Sequence, residues 1–278
     1  MSELLVVENL TVTFPTARGP VDVVKDVSFT VGRDETVGIV GESGSGKSMT
    51  SLAVMGLLPK GARTRGSIRL DGTELLGRSD RELRRLRGER MSMIFQDPLS
   101  SLNPYYTVGL QIEEMYRAHR GTSRKAAREV AIAALAQVGL PEPERRVDHY
   151  PHQFSGGQRQ RIMIAMALVC DPELLIADEP TTALDVTVQA QILRLLAELR
   201  RESGTGMMFI THDLAVISSI ATRVLVMRRG EQVEYGTAEQ VFAEPRHEYT
   251  RMLLESIPRI DDPVDDAVDG AVDDGVRS

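Results

Sequence analysis

The apolar and polar positions of the first forty residues predict β-strands. Residues 4–10 and 11–14 alternate loosely, and residues 23–31 carry several β-branched side chains. Residues 36–40 (TVGIV) form a short apolar run that enters a glycine cluster. The N-terminal part is therefore expected to be a small β-structure followed by a buried strand.

The middle of the chain changes to the spacing of helices, with apolar positions three and four residues apart. The elements predicted here are a helix over 48–58, strands over 66–70 and 91–95, and helices over 108–138 and 162–168. The PEPERR segment at 141–146 is expected to interrupt the helical pattern. The helical block at about 97–165 therefore predicts an insertion between two strand-rich parts.

Strands and helices alternate in the last third of the chain. Residues 174–177 are uniformly apolar, 186–201 form an amphipathic helical pattern, and short apolar strands follow at 207–211 and 224–227. Strands that alternate with helices indicate an α/β fold with a largely parallel sheet.

Composition and length are those of a cytoplasmic protein. The 278 residues are 42% hydrophobic and 26% charged, and no run reaches the ~18 apolar residues of a membrane span. The N-terminus lacks the basic start and apolar run of a signal peptide. The single cysteine, Cys170, cannot support a disulfide framework and is expected to pack in the core. Any membrane association would come through a partner.

The net charge of −7 is concentrated at the C-terminus. Residues 261–278 hold seven Asp and one Arg, which leaves a net charge of −1 for residues 1–260. The body therefore gives no indication of a nucleic-acid-binding surface. Residues 259–278 predict a solvated, disordered tail, with a regulatory or docking role as the alternative.

Residues 41–48 (GESGSGKS) match the spacing of a phosphate-binding loop between a strand and a helix. Glycines let successive N–H groups face one point, and the helix N-terminus adds partial positive charge. Lys47 can reach the β- and γ-phosphates, and the Ser48 hydroxyl can bind Mg²⁺. A flexible Gly/Ser turn is the alternative. The candidate nucleotide contacts are Gly41, Glu42, Ser43, Gly44, Ser45, Gly46, Lys47, Ser48 and Met49.

Residues 174–180 (LLIADEP) place two acids at the C-terminal end of a buried strand. Open α/β sheets bind ligands at that edge. Asp178 is expected to hold Mg²⁺ through water, and Glu179 to orient or deprotonate the attacking water. An ordinary solvent-facing loop would be the interpretation if the phosphate loop were absent.

Residues 154–158 (FSGGQ) offer a hydroxyl and exposed N–H groups before a helix, which suggests a second anion site. An N-cap serine followed by flexible glycine is the alternative. The chain would then have two phosphate-binding loops but only one pair of catalytic acids. This combination is explained if the two loops bind different nucleotides. The candidate contacts are Ser155, Gly156, Gly157 and Gln158.

The order of GESGSGKS, IFQDP, FSGGQRQR, LLIADEP, ALD at 183–185 and ITHD resembles that of the ABC ATPases over about residues 4–258. FSGGQ is similar to the family signature, usually LSGGQ, with Phe154 in place of Leu. The resemblance implies an α/β fold with a P-loop NTPase (RecA-like) core, an N-terminal antiparallel β subdomain and an inserted helical subdomain. It implies one ATPase domain over 1–258, which uses ATP and Mg²⁺.

The family resemblance also implies a head-to-tail dimer that encloses two ATP molecules. Ser155 and Gly157 of one subunit would face the catalytic groups of the other. Asp185 would link the two sites across the dimer. The catalytic and metal-binding groups implied are Lys47, Ser48, Gln96, Asp178, Glu179 and His212.

Three further roles follow from the resemblance. Gln96 would contact Mg²⁺ and water and respond to the membrane partner. His212 would contact the γ-phosphate and position Glu179. Phe14 is the candidate platform for the adenine ring, with an ordinary core position as an equal alternative.

Longer strings resemble the ATPase subunits of oligopeptide/dipeptide importers, a group that also serves nickel and some glycosides. They include MIFQDPLSSLNP at 93–104 and IADEPTTALDVTVQAQIL at 176–193. The expected partners are two permeases, a paralogous second ATPase or a second copy, and indirectly an extracytoplasmic solute-binding protein. The protein would lie at the cytoplasmic face of the membrane, and the cargo stays open. The alternatives are an ABC ATPase that acts on ribosomes or DNA and a regulatory module that rarely hydrolyses ATP.

Two features depart from that group. Many members continue into a cysteine-containing region that can carry an iron–sulfur cluster, whereas the Asp-rich segment stands here, so no cluster is expected. Residues 33–35 read Arg-Asp-Glu where Gly-Glu is commoner. This turn is expected to lie away from the phosphates and to have little consequence.

Overall fold

The computed structural model describes residues 3–97, 101–182 and 184–256. The segment 259–278, predicted as a tail, lies outside the described residues. The strands are β1 (Glu3–Thr16), β2 (Gly19–Gly32), β3 (Thr36–Val40), β4 (Arg63–Leu70), β5 (Thr73–Glu74), β6 (Met91–Ile94), β7 (Leu174–Asp178), β8 (Gly206–Ile210), β9 (Arg223–Arg228) and β10 (Glu231–Thr237).

The helices surround these strands. They are α1 (Lys47–Met55), α2 (Asp80–Leu86), α3 (Val108–Arg120), α4 (Arg124–Gln137), α5 (Pro143–Arg146), α6 (Gly156–Leu168), α7 (Val186–Ser203), α8 (Leu214–Ile220), α9 (Ala238–Ala243) and α10 (Glu248–Glu255), with a 3₁₀ turn at Pro151–Gln153. Within the described residues, no helix has the length and apolarity needed to cross a membrane.

Within the described residues, the strands form one ten-stranded sheet in the order β5-β4-β1-β2-β10-β9-β3-β8-β7-β6. The β5-β4-β1-β2 edge is antiparallel, and β9, β3, β8, β7 and β6 run parallel. The predicted fold class, a P-loop α/β core with an antiparallel N-terminal part, is confirmed.

The central strands are apolar because both of their faces are covered. Every residue of β3, β7 and β8 is buried. Met208 and Ile210 of β8 pack with β1, β2 and α1. Met207 and Phe209 of the same strand pack on the other face with residues of α3, α4 and α6 to α10. Successive side chains of β8 therefore pack into two different hydrophobic cores. Cys170 lies buried in the second of these cores, as predicted.

Several element boundaries differ from the sequence prediction. The helix expected over 48–58 ends at Met55, because Gly56 adopts a left-handed conformation (φ 62°) and its N–H bonds to the carbonyl of Ala53. The helical pattern over 108–138 is two helices, because Gly121 (φ 60°) ends the first and Ser123 caps the second. Pro143 begins a short helix within the segment expected to break the pattern.

The helices α3 to α6 all lie between β6 and β7 in the chain. This is where the sequence predicts an insertion at about 97–165, although the division into subdomains stays a prediction. The strand β10 and the helices α2, α8, α9 and α10 have no counterpart in the sequence prediction. Residues 33–35 do lie at the β2–β3 turn, where Arg33 forms salt bridges to Glu173 and Asp71.

Candidate nucleotide site

The phosphate loop connects β3 to α1 and depends on its glycines for its shape. Gly41, Gly44 and Gly46 have φ of 152°, 78° and 102°, values that L side chains rarely adopt. A Cβ at Gly41 would lie 2.1 Å from the carbonyl oxygen of Met227. The loop therefore lies directly against the end of β9, and glycine is required at its first position.

The loop is also held from within by a buried cation. The Lys47 ammonium donates hydrogen bonds to the carbonyl oxygens of Gly41 (2.6 Å) and Glu42 (2.9 Å). Burial lowers the pKa of Lys47, and the nearby carboxylates of Glu179 and Asp178 oppose that shift. Among the described residues, the buried Ser45 hydroxyl has no hydrogen-bond partner. An ammonium and an unpaired hydroxyl in a glycine loop are groups that a phosphate could bind.

Asp178 and Ser48 place two oxygens side by side. The Ser48 hydroxyl donates to Asp178 Oδ1 at 3.2 Å, and Asp178 is only 7% exposed. Burial raises the pKa of Asp178, the bond from Ser48 opposes this shift, and the charge of Glu179 adds to it. The described residues contain no cluster of three or more His, Cys, Asp or Glu side chains that could hold a metal alone. Two oxygens fit Mg²⁺ that is completed by phosphate and water, as in nucleotide sites.

Glu179 follows β7 in a left-handed conformation (φ 46°), which costs energy in a residue other than glycine. Its N–H donates to the carbonyl of Ile210 at 2.8 Å, which ties it to β8. The Gln96 amide and the Thr182 hydroxyl both donate to Glu179 Oε2 at 2.9 Å. His212 Nδ1 lies 3.3 Å from Glu179 Oε1. Three polar side chains therefore contact the Glu179 carboxylate.

Parallel strands explain why these side chains meet. The phosphate loop, Gln96, Asp178 with Glu179, and His212 follow the carboxyl ends of β3, β6, β7 and β8. These ends lie at one edge of the sheet, where α/β proteins bind ligands. The structure therefore brings together the catalytic and metal candidates that the sequence places far apart.

Ser155 and Asp185 are N-caps in the described chain. The Ser155 hydroxyl accepts the N–H of Gln158 at 3.4 Å, and the Gln158 amide oxygen accepts the N–H of Ser155 at 3.2 Å. Asp185 caps α7 by accepting the N–H of Val188 at 2.9 Å. A Cβ at Gly157 would lie 2.6 Å from Val188 Cγ1, so the two helix starts touch. In the described residues, the hydrogen bonds of Ser155 and Asp185 stay within their own helix starts.

Comparison with known proteins decides the family. A family model described as "ABC transporter" matches residues 24–182, and one described as "Oligopeptide/dipeptide transporter, C-terminal region" matches residues 233–274. The chain belongs to the ABC transporter family. The predicted resemblance is confirmed, and the second match extends into the segment predicted as a tail.

Curated relatives agree with this assignment. The chain is 55% identical over 258 residues to an oligopeptide transport ATP-binding protein OppD of Salmonella typhimurium, with 93% of this chain and 77% of that protein covered. It is 51% identical to a dipeptide transport ATP-binding protein DppD of Bacillus subtilis, with coverage of 94% and 78%.

Solved ABC cassettes share the fold. A dimeric post-hydrolysis structure of MJ0796 bound to ADP and Pi is 30% identical, with a TM-score of 0.74 and coverage of 84% of this chain and 98% of that one. The cbiO1 subunit of Clostridium perfringens is 28% identical, with a TM-score of 0.74 and coverage of 94% and 98%.

Phe14 and Thr182 are the remaining residues to place in this ABC family member. Phe14 is half-buried on β1 opposite Val21 and packs against the core, so the platform and core interpretations both stay open. Its hairpin lies beside the phosphate loop, because a Cβ at Gly46 would lie 2.8 Å from the carbonyl of Val23. Sequence reasoning missed Thr182, although its position three residues after Glu179 was a usable signal.

Proposed function

We propose that this chain is the ATP-hydrolysing subunit of an importer of oligopeptides, dipeptides or similar small solutes. The observation that carries the hydrolytic role is the Glu179 carboxylate, held beside the phosphate loop by Gln96 and His212. The importer role is supported by the similarity to the OppD and DppD proteins. A binding module would need the loop alone. A positioned acid with polar neighbours is the arrangement that activates water.

The phosphate loop binds the β- and γ-phosphates of ATP through its N–H groups and Lys47. When the phosphates enter, the ammonium exchanges its bonds to the loop carbonyls for stronger charge-assisted bonds to phosphate oxygens. Ser48 and Asp178 would hold Mg²⁺, which would neutralise negative charge on the phosphates. Phe14 is the proposed platform for the adenine ring.

Glu179 accepts a proton from water as the water oxygen attacks the γ-phosphorus. The bond between that phosphorus and the β–γ bridging oxygen breaks, and ADP and phosphate are the products. Gln96 and His212 hold the carboxylate and orient the water, and His212 contacts the γ-phosphate. Thr182 also fixes the carboxylate, because it donates to the same oxygen as Gln96.

The second half of each site would come from a partner in a head-to-tail dimer. The exposed start of α6 would present Ser155 and Gly157 to the γ-phosphate bound by the other subunit, with Gly156 and Gln158 beside them. The ATPase domain is proposed to span 1–258 and to contain a helical subdomain at about 97–165. Movement of this subdomain relative to the core would carry the Ser155 loop with it. Asp185 would connect the two sites because its helix start touches that of α6.

Coupling to the membrane is proposed to run through an apolar groove of about 350 Å³ next to Gln96. The groove lies between β6 and the inserted helices and is lined by Ser92, Met93, Phe95, Ser101, Met115, Met163, Met166 and Ala167. Met side chains adapt to irregular partners, so a permease segment is the proposed occupant. The proposed assembly has two permeases, a paralogous or second copy of the ATPase, and an extracytoplasmic binding protein, with no iron–sulfur cluster.

A pull-down from gently solubilised membranes tests the assembly. The tagged chain is expected to recover two permeases and a second ATPase, identified by mass spectrometry. The Glu179→Gln chain is expected to recover the same set, since it keeps the binding surfaces. Recovery of ribosomal or DNA-repair proteins without permeases would favour the ABC ATPases that act outside transport.

A further inference from the structure

The C-terminal elements hold the phosphate loop at two points. The N–H of Gly230, in the β9–β10 turn, donates to the carbonyl of Ser45 at 3.0 Å. The hydroxyl of Tyr249, on α10, accepts the main-chain N–H of Glu42 at 3.1 Å. Both points lie in the last fifth of the chain, and neither belongs to the sequence motifs described above.

The start of α10 is itself fixed to the sheet. Glu234 of β10 accepts the N–H groups of Arg246 (2.8 Å) and His247 (3.1 Å), and His247 Nδ1 accepts the N–H of Tyr249 at 3.1 Å. This chain of bonds sets where the Tyr249 side chain enters the core. The ring is 1% exposed, and its outer face is covered by the Arg228 guanidinium at 4.6 Å.

A core position alone would not require the hydroxyl at this position. Phenylalanine would fill the same volume and would keep the stacking with Arg228. The hydroxyl instead takes a main-chain donor of the loop, and the Lys47 ammonium takes the carbonyl of the same residue, Glu42. Burial raises the pKa of the Tyr249 hydroxyl, so it stays neutral at physiological pH.

We propose that Tyr249 is a positioning residue for ATP binding, because its hydroxyl fixes the main chain at Glu42 and so pre-forms the phosphate loop. A loop already ordered before ATP arrives loses less conformational entropy on binding. The same bond gives α10, which lies in the matched C-terminal region, a direct influence on nucleotide affinity. This inference rests on the proposed function.

The test compares Tyr249→Phe with Tyr235→Phe in the full-length chain. Tyr235 is a matched control because its hydroxyl also bonds to main-chain atoms, the N–H and carbonyl of Thr30 at 3.0 Å. Arg223 stacks on its ring at 4.3 Å. The Tyr249→Phe change is expected to raise KM for ATP roughly fivefold, the size of one neutral hydrogen bond. The value of kcat should change by less than about twofold, because binding of the ground state and of the transition state is weakened equally.

Two readouts separate positioning from stability. If Tyr249 only stabilised the fold, the variant would lose active protein and show a lower apparent kcat with an unchanged KM. Hydrogen–deuterium exchange of the peptide that carries the Glu42 amide should become faster in Tyr249→Phe and stay unchanged in Tyr235→Phe. An unchanged KM or unchanged exchange in Tyr249→Phe would overturn the inference while leaving ATP hydrolysis intact. A wild-type chain that neither binds nor hydrolyses ATP would overturn the proposed function and this inference together.

Discussion

Replacement of Glu179 by glutamine tests the proposed general base with little disturbance of the fold. The amide has the same shape, and its oxygen can still accept the bonds from Gln96 and Thr182 that now reach Oε2. Its NH₂ group can donate to His212 Nδ1 when the neutral ring carries its proton on Nε2. The stability cost should therefore stay below about 1 kcal/mol, since no bonded group loses its partner.

The chemical cost of this replacement should be much larger. An amide cannot accept the proton of the attacking water, and a positioned general base contributes about 10²–10⁴-fold to turnover. The expected loss in kcat corresponds to ~3–5 kcal/mol of activation free energy. Binding of Mg-ATP should persist, because Lys47 and the loop are unchanged, and the ATP-bound dimer should accumulate.

Phosphate release at saturating Mg-ATP measures the loss, and size-exclusion chromatography with ATP measures the trapped dimer. The matched control is Glu173→Gln, which removes a carboxylate just before the same strand. Glu173 pairs with Arg90 at 2.6 Å and Arg33 at 2.9 Å, away from the loop. Turnover of Glu179→Gln at the wild-type rate would refute the assignment of the base.

Three further outcomes are expected. Lys47→Ala should weaken Mg-ATP binding, measured with a fluorescent nucleotide, and undiminished binding would count against the loop assignment. Gly41→Ala should lower the free energy of unfolding, measured by thermal unfolding, by about 1–3 kcal/mol or more. The reason is strain, because the added Cβ would lie 2.1 Å from the Met227 carbonyl oxygen. Gly44→Ala shares a positive φ, but its Cβ meets no atom within 4 Å of the described chain, so a smaller loss is expected. Cys170 is buried and its pKa is raised by burial, so a thiol reagent should label it only after unfolding; rapid labelling of folded protein would contradict this packing.

Much of the site could be predicted because its chemistry follows strand ends. The motif at 41–48, the acid pair at Asp178 and Glu179, and His212 each follow a short apolar run. Parallel strands bring their carboxyl ends to one edge, so local patterns were sufficient to place these groups together. Gln96 also follows a predicted apolar strand, at 91–95, but only the family resemblance gave it a role.

Element boundaries were predicted less well, since they depend on single residues and on long-range pairing. Gly121 divides one continuous helical pattern into α3 and α4 through its left-handed backbone. The strand β10 carries four polar residues among seven and is stabilised by pairing along β9. The local pattern of hydrophobic residues does not indicate that pairing, so the strand was not predicted.

The shape of the phosphate loop shows why a motif alone does not determine a site. GESGSGKS specifies residues that are able to curve around a phosphate, but the observed curve depends on neighbours from three distant elements. The carbonyl of Val23 lies against Gly46, that of Met227 against Gly41, and the Tyr249 hydroxyl bonds to the N–H of Glu42, 207 residues away in sequence. A helix such as α10 has an amphipathic pattern that predicts which side is buried, yet that pattern cannot identify the atom that the buried hydroxyl meets. The affinity of the loop for nucleotide should therefore respond to substitutions in the last helix as well as in the motif itself.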